Sequence, residues 1–543
     1  MLLVKHANLI AAMLLLLMAG AAVLSLWGDS ATYDEVAHIV AGYSYLIKQD
    51  YRLNPEHPPL LKDLAALPLV FLGLSFPDQN VHWTGEVNGQ WDLGRVFLYG
   101  SGNNADTMLF WSRLPTVALM LLLGLFLFKW SKERYGPKAG LFALALYSFS
   151  PSVLANGRLA TLDVGLTAFI FVAFYYFWRY LERPTRLSFG LAAVSFTLAQ
   201  LSKFPAVLLV PVFFVLVLMK GHSMKAFGAM LLLSVVAVSL FYGVNMWNMP
   251  LEVQHRLIEA SIQDGSGSYG WLASFLRWVL HGLADIAPLR PCSQYLLGLF
   301  MDGGHAFGGH TIYFLGEVGS HFWLYYPVVF LIKEPLASQA FLVGAVAIAL
   351  RRRARPGPLP VGVMAFCLLY LAVFTGFGAQ LGIRYVLPVF PFLYMLAAGQ
   401  TAKLRGRPGL LGVSLLGWLA VSSLLVFPSY LAYYNELVGG PRNGYLYLGD
   451  SNTDWGQDLR RLTGFVEERG ITAIRVNYFG GGDPAYYLGA RYVPWDAASG
   501  PSGGWFAVSA SFYEGRSADY AWLAGYTPVA QIGYSILVYN IPA

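Results

Sequence analysis

Residues 28–62 read GDSATYDEVAHIVAGYSYLIKQDYRLNPEHPPLLK. Directly after an apolar run, this stretch sets Asp34 and Glu35 side by side, then brings Glu56, His57, Pro58, Pro59 and Lys62 together. Few other places gather so many ionisable groups just outside an apolar segment. The stretch reads as the chemical end of a membrane-embedded chain, with the remainder holding it at the bilayer surface or bringing partners to it.

Composition supports that setting. The chain has 543 residues, of which 56% are hydrophobic and 12% charged, with a mean hydropathy of +0.52. Soluble domains carry about 25% charged residues, so these values predict an all-α polytopic membrane protein. The net charge of +6 does not point to nucleic acid, because the basic residues fall in short clusters between apolar runs. Cys292 lies in an expected external region and Cys367 inside an apolar run, so no disulfide or cysteine metal motif is expected. The first apolar run, about Ala7 to Trp27, is long for a signal-peptide core and is expected to stay as an uncleaved span.

A helix crosses the hydrocarbon core in about 20 residues, though shorter ones can pack within a bundle. Apolar runs at 8–27, 109–129, 139–155, 163–181, 187–202, 204–220, 226–247, 324–350, 359–377, 384–400 and 409–428 predict eleven spans. With a cytoplasmic N-terminus, every expected inner connection is basic. The clusters are Lys129, Lys132, Arg134 and Lys138; Arg179, Arg183 and Arg186; Lys220 and Lys225; Arg351, Arg352, Arg353 and Arg355; and Lys403, Arg405 and Arg407. Loops 28–108 and 248–323 and the tail from 429 then share the other side. Val36, Ile39, Val40, Tyr43 and Leu46 recur at helical spacing, which predicts an amphipathic helix from Asp34 lying flat on the membrane. Leu251 to Leu283 reads as an interfacial helix pair. The expected division is a transmembrane domain over 1–428 and an extracytoplasmic α/β domain over 429–543. The latter would hold a helix at 455–469 and strands at 473–478, 505–510, 529–532 and 535–539.

Four motifs carry a resemblance. Asp34-Glu35 followed by HPPLLK, Arg158-Leu-Ala-Thr-Leu-Asp163, Gly382-Ile-Arg384-Tyr385-Val-Leu-Pro388 and GDSNTDWGQDL (Gly449 to Leu459) stand in an order, and on a common side of the membrane, that resembles the lipid-carrier-dependent glycosyltransferases of the GT-C fold. Bacterial relatives of the protein O-mannosyltransferases (family 39-like) are closest, with the aminoarabinose transferases of lipid A more distant. The resemblance implies a polyprenyl-phosphate sugar taken from the outer leaflet of a bacterial inner membrane. It also implies transfer with inversion to a protein, glycan or lipid acceptor, and a base at Asp34. The tail is unlike the β-trefoil of the eukaryotic enzymes, which weakens the case for a protein acceptor.

That chemistry needs a carboxylate within reach of an attacking hydroxyl and cations for the departing phosphate. Asp34 is the expected base, against the alternative of a solvated carboxylate favoured at a helix N-terminus. Glu35 points about 100° away on a helix and is expected to contact substrate hydroxyls or support Asp34. Lys62, Arg384 and Lys203 are the expected phosphate ligands, with snorkelling to lipid headgroups as the alternative. Asp163 is expected to position a substrate, and Arg158 to pair with it across a turn. Glu56 and Tyr385 are candidate positioning residues, and His57 a phosphate contact. MDGGHAFGGH, Met301 to His310, lacks the context of a P-loop and reads as a flexible external loop. His305, His310 and His321 match no helical ligand spacing, and no metal or nucleotide cofactor is expected. Asp450, Asp454 and Asp458, four apart, would line one helix face, read as structural or acceptor-facing. A flippase for lipid-linked precursors would want mid-membrane charges and repeated halves, and neither is visible; a scaffold in envelope assembly is a further alternative.

Overall fold

The computed structural model describes residues 5–262, 270–308, 310–353, 356–402, 404, 406–515 and 517–542. Arg355, Lys403 and Arg405 lie outside them, as does the side chain of His305. The chain is mostly helical. The apolar runs become α1 (Ala7–Ser25), α4 (Ala105–Tyr135), α5 (Pro137–Ser148), α6 (Asp163–Glu182), α7 (Arg186–Gln200), α8 (Leu209–Lys220), α9 (Met224–Asn245), α15 (Pro358–Phe377), α16 (Phe390–Thr401) and α17 (Gly406–Leu425). Between them lie α2 (Tyr33–Lys48) and α3 (Leu60–Ala66), then α10 (Leu251–Ser261), α11 (Gly270–Ala284) and α12 (Arg290–Gly308), and finally α13 (Tyr325–Lys333) and α14 (Leu336–Arg352).

Among the described residues five helices, α1, α4, α6, α9 and α15, are long and apolar enough to cross a membrane, or six if α13 and α14 count as one. The chain is thus built as a multi-pass membrane protein, and the expected eleven spans are not reached by this measure. The run 324–350 is not one straight helix: α13 and α14 meet at 114°. Glu334 precedes Pro335 and takes the extended backbone (φ −89°, ψ 141°) that the proline ring imposes on its neighbour. Lys333 turns inward there, donating to the carbonyls of Leu431 (2.8 Å) and Asn452.

α2 does not present a polar side to solvent. Glu35 through Tyr45 are all buried, because other segments cover its polar side. Gly42 rests on the Lys62 carbonyl, Gly94 on the Val36 carbonyl and Gly481 on the Thr32 carbonyl, each so close that a Cβ would not fit. Nor is Met301–Gly308 a loop, since it continues α12 to its end.

After α18 (Leu459–Glu468), a mixed five-stranded sheet forms from β3 (Ile474–Asn477), β4 (Tyr492–Pro494), β5 (Gly504–Ser509), β6 (Ala530–Ile532) and β7 (Ile536–Ile541). β1 (Ile312–Phe314) and β2 (Glu317–Gly319) make a separate hairpin. The sheet order is β4-β3-β5-β7-β6, parallel at β4-β3-β5 and antiparallel beyond, with Phe506 opposite Arg475 on one side and Tyr539 on the other. The segment before α18 laces this unit to the first loop. Ser30 N donates to the Gln457 carbonyl and Tyr33 N to the Trp455 carbonyl, both at 2.9 Å. Beneath them Asp29 is shared by Arg158 and Arg461 (2.5 Å), and Arg461 also pairs with Asp458.

Candidate functional site

The first turn of α2 sets the site. Glu35 accepts from the backbone N–H (2.9 Å) and hydroxyl (3.0 Å) of Thr32, closing the helix N-terminus. Its two oxygens also take Arg113 Nε and Nη2 at 2.8 and 2.7 Å and the Ala160 N–H at 2.8 Å. Burial opposes this charge, yet the Arg113 guanidinium and these donors hold Glu35 below the usual carboxylate range. Glu35 is therefore sealed and fully engaged by protein donors, the geometry of the expected supporting role rather than of a hydroxyl contact.

With Glu35 turned inward, Asp34 faces a cavity of about 570 Å³. Asp34 Oδ2 lies 2.7 Å from Arg384 Nη1, which is 3.5 Å from Asp163 Oδ2, and Asp163 Oδ1 lies 2.9 Å from Lys203 Nζ. Residues from four separate segments thus form one line of alternating charge. Arg384 is fixed in it by Nε donation to Ser451 Oγ (3.0 Å) and by the Trp455 ring, 4.0 Å from its guanidinium carbon. Lys203 stands 4.5 Å from the Tyr385 ring, and the bound Asp163 carboxylate outweighs burial to raise its pKa. Phe204, Val207, Leu208, Val373 and Phe374 make an apolar wall beside this charged head.

Lys62 is not at the cavity. It is fully buried, and its ammonium donates to Tyr45 Oη (2.9 Å), Asn54 O (2.7 Å), Asn54 Oδ1 (3.0 Å) and His57 O (2.7 Å). Those acceptors saturate it, so the expected phosphate contact is replaced by support of loop 54–57. Glu56 in that loop accepts from Gln90 (2.5 Å) and Asn54 (3.1 Å), and the His57 ring lies 3.7 Å from Asp302. Both line the cavity, as does Tyr385. Arg158 does not pair with Asp163. Its guanidinium goes to Asp29 and to the Ser25 carbonyl (2.7 Å), because α6 turns Asp163 toward Lys203 instead.

Among the lining residues, His38 and Asp302 escape the sequence reading. His38 stands one helical turn after Asp34, so the i, i+4 spacing alone could have placed it on the same face; burial pushes its pKa down. Asp302 lies in what reads as a glycine-rich loop. Asp450, held at φ +54° and raised in pKa by burial, faces the cavity from a short 3-10 turn, Asp450–Asn452. Asp454 and Asp458 point elsewhere, toward Ser511 and Ser535. The three aspartates share no helix face, since α18 starts only at Leu459. His310 lines the cavity and His321 packs on Trp323. Among the described residues the one His/carboxylate group spaced for a metal is His82, Glu86 and Asp92, outside the cavity lining.

The sequence model of the family described as dolichyl-phosphate-mannose-protein mannosyltransferase matches residues 105–247. That segment carries Arg113, Asp163 and Lys203 of the charged head and its supports, and spans about a quarter of the chain. No curated protein matches. Among solved structures, ArnT from Cupriavidus metallidurans bound to undecaprenyl phosphate aligns with 97% of each chain at 13% identity and a TM-score of 0.43. The Archaeoglobus fulgidus oligosaccharyltransferase aligns with 94% of this chain and 70% of its own, at 12% identity and 0.40. The S. cerevisiae protein O-mannosyltransferase Pmt1-Pmt2 complex bound to the sugar donor aligns with 48% and 35%, at 18% identity and 0.33. Likeness at these scores carries no argument about chemistry, which rests on the residues themselves.

Proposed function

We propose that this protein is a membrane-embedded glycosyltransferase, moving a sugar from a polyprenyl-phosphate donor to an acceptor on the extracytoplasmic side. The observation that carries the reading is the line Asp34–Arg384–Asp163–Lys203 at the head of a cavity whose adjoining wall is apolar. An isoprenoid chain suits the wall and a phosphate suits the cations. The match of residues 105–247 to a family named for a lipid-phosphate sugar donor agrees with it.

Phosphate oxygens compete for Arg384 and Lys203, turning the guanidinium away from Asp34. The freed carboxylate accepts the proton of the acceptor hydroxyl as that oxygen bonds to the anomeric carbon. The bond from carbon to phosphate oxygen breaks, its electron pair leaves with the carrier, and the two cations meet the added charge. Asp163 positions both cations, His57 approaches the phosphate, and Glu56 and Tyr385 hold the surrounding loop and ring in place. One base and one displacement give an inverted product, and a retained configuration would remove that part.

The test is to incubate purified protein with a panel of polyprenyl-phosphate sugars and follow release of the carrier. Release from at least one donor, lost in Asp34→Asn, is the expected result. Folded protein that binds no polyprenyl phosphate and turns over no donor sinks the proposal.

A further inference from the structure

The cavity has a second kind of wall, aromatic rather than aliphatic or charged, which the isoprenoid chain and the phosphate of the donor do not account for. Tyr33, beside Asp34, stacks against Phe479 with rings 5.5 Å apart and 5° from parallel, and meets Trp91 at 4.4 Å. All three are partly exposed and line the cavity together with Asp34 and Asp450. They come from the first turn of α2, from the short helix Gln90–Arg95 and from the loop after β3, so the sequence scatters what the fold unites.

The approach of Phe479 is built by glycine. Gly480 (φ +151°) and Gly456 (φ +92°) hold backbone angles that side chains rarely adopt, and each lies where a Cβ would strike the other's backbone. Gly481 is pressed on the Thr32 carbonyl and Val36. Ser509 Oγ accepts from the Phe479 N–H at 3.0 Å and fixes the loop from the sheet side. Only such a run lets β3 deliver an aromatic ring onto the N-terminus of α2.

A sugar ring suits this arrangement. One face of a pyranose is a patch of weakly positive C–H bonds, which settles on the negative face of an aromatic ring. Its hydroxyls project at the rim, where Asp34 and Asp450 accept hydrogen bonds. The methyl or methylene of a polypeptide Thr or Ser needs no aromatic surface of this extent. We propose that Tyr33, Trp91 and Phe479, with Asp450, form an acceptor subsite for a saccharide, so that the acceptor is a glycan rather than a polypeptide hydroxyl. This rests on the transfer reaction proposed above for the term acceptor, but not for the binding itself.

The test uses the full-length protein in nanodiscs, titrated calorimetrically with soluble hexose and N-acetylhexosamine oligosaccharides, with a Ser/Thr-rich peptide, and separately with undecaprenyl phosphate. At least one oligosaccharide is expected to bind. Phe479→Leu, which keeps the bulk without the π-face, should weaken it about tenfold, and Phe479→Tyr should retain it. Binding of the peptide in place of every saccharide, or saccharide binding equal in wild type and Phe479→Leu, overturns the subsite. Carrier binding without any saccharide binding also overturns it while leaving the transferase reading intact. Saccharide binding that depends on Phe479 without carrier binding supports the subsite and removes the transferase reading instead.

Discussion

Asp34 and Glu35 are adjacent in the chain and opposite in circumstance. Glu35 is sealed under Thr32, Arg113 and Ala160, while Asp34 keeps a fifth of its side chain open and holds Arg384 from across the cavity. Replacing one member of a buried, hydrogen-bonded pair costs about 3–5 kcal/mol, since the partner charge is left stranded. Glu35→Ala should therefore lower the melting temperature sharply and reduce the yield of folded protein. Asp34→Asn keeps shape and hydrogen bonding but removes the proton acceptor. It should melt close to wild type while transfer falls about 10²–10⁴-fold. Thermal melting and carrier release on the same two preparations check this. An active Asp34→Asn would take Asp34 out of the chemistry, and an Arg113-independent, stable Glu35→Ala would undo the bracing argument.

At the scale of elements, the glycine loop after β3 is the tightest joint between the sheet and the helical body. Gly481→Ala forces a methyl against the Thr32 carbonyl, and such overpacking costs about 1–3 kcal/mol. Gly464, inside α18 with open space around it, is the contrast: Ala there should stabilise by about 0.5–1 kcal/mol. Opposite shifts in melting temperature are expected, with transfer lost only in Gly481→Ala. Equal shifts would mean that the joint bears no strain. Elements marked by a continuous local run are legible in the sequence, including the apolar helices at 163–182 and 224–245 and strands β3, β5, β6 and β7. The bend at Lys333-Glu334-Pro335 was hidden inside an apolar run, although a charged pair before proline is its local cause. α2 looks amphipathic because its second face is covered only by segments about 20 to 450 residues away, and hydrophobic periodicity carries no record of those. For the same reason the Asp34, Asp163, Lys203 and Arg384 group could be nominated residue by residue. The surroundings of Lys62 are not legible in this way, because a lysine that faces phosphate and one that binds four protein oxygens look alike in a sequence.

Over the whole molecule, buried titratable groups set how stability should change with pH. Burial raises Asp63 to about 8 against the opposing charge of Lys62, and raises Asp454 to about 7. An unfolded aspartate titrates near 3.9, so the folded state binds more protons across the interval between. The stability these two contribute is fully present below about pH 4 and is lost as pH rises through their folded values. Lys62 runs the other way. Burial lowers it to about 7 from an unfolded value near 10.4. Between those limits the unfolded chain binds the extra proton, so its term restores stability as pH rises. These three groups together predict a melting temperature higher at pH 5 than at 7.5, with recovery toward 9.5. Asp63→Asn should flatten the fall between 5 and 7.5, leaving the part due to Asp454, and Lys62→Met should abolish the recovery. Recovery of stability need not restore activity, because a neutral Lys62 has one fewer hydrogen to hold the Asn54 and His57 carbonyls, and the loop carrying Glu56 and His57 loosens. Melting curves and carrier release across that range should therefore part company above about pH 8. If they rise together, Lys62 does not support the loop in the way its four contacts indicate.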